Sequence, residues 1–66
     1  MENKLRKIRK EKGLTQAELA RESGVHRTSI ARYEAGIHEP GRKSLLKLAR
    51  TLQVPVDALI EGTESA

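Results

Sequence analysis

The segment "HRTSIAR", residues 26–32, gathers hydrogen-bonding side chains closely: Arg27, Thr28, Ser29 and Arg32. A guanidinium presents its N–H donors as a rigid planar fork that fits paired acceptors, and a hydroxyl donates or accepts as needed. The apolar residues around them, Val25, Ile30 and Tyr33, are sparse. Such a face is either the ordinary solvated side of a helix or a surface that reads a partner. Catalysis has little to work with. No nucleophile is paired with a base, no glycine loop is built to cradle phosphate, and no metal-ligand spacing occurs. His26 and His38 stand alone and cysteine is absent, so neither metal nor cofactor is expected. The chain reads as a non-enzyme with no small-molecule ligand apparent.

The elements that position those residues must be few. At 66 residues the chain makes one domain with a small core. Thirteen basic residues against nine acidic give a net charge of +4, which suits a polyanionic partner. One tyrosine and no Phe or Trp argue against single-strand binders, which stack bases on several aromatics. The start, "MENKLRKIRK", lacks the apolar core of a signal peptide, and no apolar run approaches a membrane span. With no cysteine, the expected compartment is the cytoplasm.

Glycine, proline and hydroxyl residues cut the chain into five helical segments. "NKLRKIRKEK" carries Leu5 and Ile8 at helical spacing and ends at Gly13. Thr15 opens the second segment, with Glu18 completing a T-x-x-E capping box. Its expected apolar face is Ala17, Leu19 and Ala20, and Gly24 stops it. The third runs from about Arg27 to Ala35, before Gly36. The fourth, "RKSLLKLARTLQ", puts Leu45, Leu48, Ala49 and Leu52 on one face. The fifth is "VDALI". No stretch alternates with period two, so the expected fold class is all-α: five short helices over residues 1–61, followed by a mobile tail, 62–66.

The second and third segments form a specific pair. Ala20 is small enough for another backbone to approach, and Gly24 permits the positive φ of a sharp turn. Val25, Ile30 and Tyr33 would bury one side of the third helix, leaving Arg27, Thr28, Ser29, Ala31 and Arg32 outward. The ordered text "GLTQAELARESGV", "SIARYEAG" and "P…SLLKLARTLQVPVDALI" resembles the helix-turn-helix of the Xre/Cro family, the phage-repressor-like DNA-binding proteins. The resemblance covers about Leu5 to Ile60.

It implies a lambda-repressor-like domain whose third helix enters the major groove of double-stranded DNA, where each base pair displays a distinct donor and acceptor pattern. Arg27, Thr28 and Arg32 would then meet base edges. Gln16, His26, Ser29, His38, Arg42 and Lys43 would meet the sugar–phosphate backbone, which fixes register without reading sequence. The resemblance also implies that Arg9 pairs with Glu34, tying the first helix to the third. Tyr33 is expected to pack, with its hydroxyl at the surface. His26 stands where the family prefers a Ser or Thr cap; a poor cap and a DNA contact remain equal readings. Ser23 is expected to be a small exposed edge. Leu46, Val56 and Ile60 are core by default, and any excess on the last two helices would serve a homodimer. The implied function is a transcriptional regulator, of the repressor kind, on a near-palindromic operator. The alternative is a protein-interaction module such as an antitoxin or coactivator-like domain.

Overall fold

The computed structural model describes residues 4–60, except the side chain of Ile60. The five helices are α1 (Lys4–Glu11), α2 (Gln16–Ser23), α3 (Arg27–Glu34), α4 (Arg42–Leu52) and α5 (Val56–Ile60), with no strand among the described residues. The all-α expectation therefore holds. The expected mobile tail at 62–66 and the expected core role of Ile60 lie outside the described residues.

The helix ends have local causes. Thr15 caps α2: its hydroxyl accepts from the Glu18 N–H at 3.0 Å, while the Glu18 carboxylate accepts from the Thr15 N–H at 2.9 Å. Gly24 closes α2 at φ 82, its N–H donating to the Ala20 carbonyl. A Cβ on Gly24 would meet nothing within 4 Å; the left-handed backbone, not crowding, calls for glycine there. α4 ends on a residue with a side chain. Gln53 takes φ 58, and its N–H donates to the carbonyls of Ala49 and Arg50. That conformation costs an L-residue roughly 1–2 kcal/mol.

Leu19 of α2, Ile30 of α3, and Leu48 and Leu52 of α4 are the fully buried centre. Burying each contributes about 1.5–3 kcal/mol. Leu5 and Ile8 of α1, Val25 of the turn, Ala49 and Leu59 complete the core. α2 packs on α3 and α4, α1 packs on α3 and α5, and α4 packs on α5. The α2–α3 pair is thus supported by α1 and α4, leaving one side of α3 uncovered.

Several expectations about faces are corrected. Ala17 is exposed. The less exposed positions of α2 include 16, 19, 20 and 23, so polar Gln16 and Ser23 share the inward side with Leu19 and Ala20. Ser23 is a working part of the turn: half-buried, its Oγ accepts from the Val25 N–H at 3.1 Å. Leu46 is 46% exposed, because the face of α4 that meets the core follows Leu45, Leu48, Ala49 and Leu52. Val56 is half-buried against the edge of the core.

Candidate nucleic-acid interface

The uncovered side of α3 carries Arg27, Thr28 and Arg32, all exposed. Ser29 and Ala31 are half-buried, so the outward strip is narrower than the sequence suggested. Ile30, fully buried, anchors the opposite side. Tyr33 is half-buried against the core and its hydroxyl donates to Ser44 Oγ of α4 at 3.4 Å, a long bond. Its hydroxyl is directed at another helix instead of simply at water.

His26 occupies the N-cap of α3, exposed, with no side-chain cap hydrogen bond. The first turn of α3 has no acidic residue and begins with Arg27. A shallow open depression runs along the turn, lined by Ala20, Arg21, Gly24, Val25, His26 and Arg27. The start of α4 repeats the pattern. Its cap is Gly41, without a side-chain bond, and exposed Arg42 and Lys43 fill the first two positions. A helix N-terminus carries partial positive charge, and chains usually place acids there. Here α3 and α4 add cations to it. Their unsatisfied N–H groups and fixed charges suit an anion from outside. His38, in the loop after α3, is also exposed.

Behind this surface, one network joins three helices. Arg9 Nε donates to Glu34 Oε2 at 2.6 Å and Nη2 donates to Oε1 at 3.0 Å, a bidentate pair whose side chains are only 10% and 5% exposed. Arg9 Nη1 also donates to the Leu14 carbonyl at 2.8 Å. Gln16 Nε2 donates to Glu34 Oε1 at 3.0 Å. The hydrogen bond to Glu34 raises the Arg9 pKa against the opposing effect of burial. Burial alone would push the Glu34 carboxyl up. Hydrogen bonds from Arg9 and Gln16, with the charges of Arg9 and Arg6, outweigh it and hold the carboxyl below its ordinary value.

The structure thus places Arg27, Thr28 and Arg32 on one open helix, and Arg9, Glu34 and Gln16 in one hydrogen-bonded network. The Gln16 tether to Glu34 escaped the sequence reading. Its signal was available: Gln16 stands three residues before buried Leu19, on the same side of α2.

An all-α unit with a glycine turn between two packed helices, the second uncovered and basic, is a helix-turn-helix. The chain belongs to the helix-turn-helix family, of Xre/Cro type: the family described as Helix-turn-helix matches residues 5–59. The chain is 40% identical over 58 residues to YqaE of Bacillus subtilis (strain 168), named as an uncharacterized HTH-type transcriptional regulator; the match covers 88% of this chain and 50% of that one. It is 38% identical over 61 residues to BcrR of Enterococcus faecalis, named as an HTH-type transcriptional activator, covering 92% of this chain and 30% of that one. It is 33% identical over 63 residues to RstR of Vibrio cholerae, named as a cryptic phage CTXphi transcriptional repressor, covering 96% and 57%. The chain spans about half the length of most such relatives. No described helix is long and apolar enough to cross a membrane.

Proposed function

We propose that this domain binds double-stranded DNA in a sequence-dependent manner and regulates transcription, acting as a repressor on a near-palindromic operator as a homodimer in the cytoplasm. The observation that carries this reading is the exposed strip Arg27, Thr28 and Arg32 on a helix whose other side is anchored by fully buried Ile30. Seated in a major groove, the two arginine forks match guanine O6 and N7, and Thr28 offers a hydroxyl or a methyl. Gln16, His26, Ser29, His38, Arg42 and Lys43 are assigned to the sugar–phosphate backbone. The basic, side-chain-uncapped starts of α3 and α4 support that assignment for His26, Arg42 and Lys43. Two-fold symmetry places half-sites about one helical turn, ~34 Å, apart. The relatives' names include both an activator and a repressor; repression is the reading adopted because occlusion of polymerase is the simplest route to regulation for so small a domain.

Selection from a random duplex pool at ~150 mM salt tests the reading, since non-specific attraction is already weakened there. An enriched palindrome is expected. Purely salt-sensitive binding without enrichment overturns it in favour of the protein-interaction alternative.

A further inference from the structure

We propose that Glu34 is a positioning residue for DNA binding: it holds Nε2 of the Gln16 side-chain amide in one place, so that the second N–H of that nitrogen is kept for the phosphate. The inference rests on the reading above, in which Gln16 meets the DNA backbone. The carboxylate of Glu34 is an acceptor-only group, and Gln16 Nε2 lies 3.0 Å from its Oε1. A Gln16 amide turned the other way would set its carbonyl against that carboxylate. Glu34 therefore selects one of the two amide orientations. One Nε2 hydrogen is spent on Glu34, and the second remains for an outside acceptor. A phosphate accepts and does not donate, so an amide free to turn would present the wrong atom part of the time.

Charge could defeat this arrangement, because a bare carboxylate under a phosphate site repels the phosphate. Arg9 removes that objection. Its guanidinium holds both oxygens of Glu34, at 2.6 and 3.0 Å, so the pair carries no net charge. The carboxylate keeps its directional hydrogen bond to Gln16 while its field is cancelled. Arg9 and Glu34 thus link α1 and α3, which flank the interface, to the side chain at the first position of α2.

A double-mutant cycle tests the proposal on the full chain. Arg9→Met with Glu34→Leu removes both charges together, so no buried charge is left alone and net charge is unchanged. The probes are the selected duplex and a scrambled duplex. Gln16→Ala alone is expected to weaken binding to both by about tenfold, the order of a hydrogen bond to a charged group. Arg9→Met/Glu34→Leu is expected to lose a similar factor, and adding Gln16→Ala to it should change little further. Glu34→Gln, which keeps an acceptor oxygen, should retain more affinity than Arg9→Met/Glu34→Leu. If the network is merely structural, the folded Arg9→Met/Glu34→Leu variant binds like wild type and Gln16→Ala costs the same in both backgrounds; that overturns the proposal. Should that variant not fold, the wild-type Gln16 side-chain NMR signals decide. The Gln16 Nε2–H shifts must move with the titration of the Glu34 carboxyl, and side-chain amide shifts indifferent to that titration overturn it. Gln16→Ala without effect, beside an impaired Arg27→Ala, rejects the positioning role and leaves the DNA reading standing. A wild-type chain that selects no duplex rejects both.

Discussion

One turn joins α2 to α3, yet the starts of the two helices are built in opposite ways. At α2 the chain satisfies itself. Thr15 and Glu18 exchange hydrogen bonds, Glu18 supplies the negative charge that the helix start favours, and Gln16 is tied to Glu34. Of the four amides that a helix start leaves without intrahelical partners, the box occupies those of Thr15 and Glu18. At α3 the chain supplies neither a side-chain cap nor an acid; it supplies His26 and Arg27, both exposed. α3 is held instead from its middle, through Ile30, and from its far end, through Glu34. The contrast teaches a division of labour. α2 caps its own backbone locally and keeps only the spare Gln16 amide hydrogen for an outside acceptor, whereas α3 leaves its leading end available to an anionic partner.

The largest expected effect breaks the hold on the far end of α3. Glu34→Ala strands the Arg9 guanidinium, buried with its side chain 10% exposed, and should cost about 3 kcal/mol. In a domain this size that lowers Tm by roughly 15 °C in a thermal melt. pH sharpens the point. The Glu34 carboxyl lies below its ordinary value in the folded chain. Its contribution is therefore full above the unfolded carboxylate range, near ~4.3, and is lost as pH falls through the folded value. The gap between wild type and Glu34→Ala should narrow progressively on acidification. A gap that stays constant to low pH contradicts this account.

Thr15→Ala comes next. It removes the side-chain half of the capping box and should cost about 1 kcal/mol, with faster hydrogen exchange at the Glu18 amide. The converse change, His26→Ser, gives α3 the cap it lacks. A gain of about 0.5 kcal/mol is expected, read as a small rise in Tm. If His26→Ser instead destabilises the free protein, the side chain of His26 holds the turn, and the contrast between the two helix starts fails.

Much of this contrast was legible in the residues. The T-x-x-E spacing of Thr15 and Glu18 names a cap because its chemistry is local. Gly13, Gly24 and Gly36 mark the turns after α1, α2 and α3, and all three take positive φ. What stayed hidden depends on neighbours distant in the chain. Ala17 looked inward by its apolarity, but the packing of α2 against α3 and α4 turned Gln16 and Ser23 toward the interior. Those polar groups are tolerated because each has a partner, at Glu34 and at the Val25 amide. Leu46 looked like core, yet its neighbours fill that face. Gln53 gave no sign of its left-handed backbone, since the sequence marks such a position only when glycine or asparagine occupies it.

The most direct test of the central claim is the ratio of affinities for selected and scrambled duplex, measured for wild type, Arg27→Ala, Arg32→Ala and Lys43→Ala over a range of salt. Arg27→Ala and Arg32→Ala are expected to lower the ratio, each by roughly 1–3 kcal/mol of discrimination. Lys43→Ala should weaken both duplexes alike and reduce the salt slope by about one. Equal losses on both duplexes for all three substitutions would contradict it, since the open face of α3 would then attract DNA without reading it.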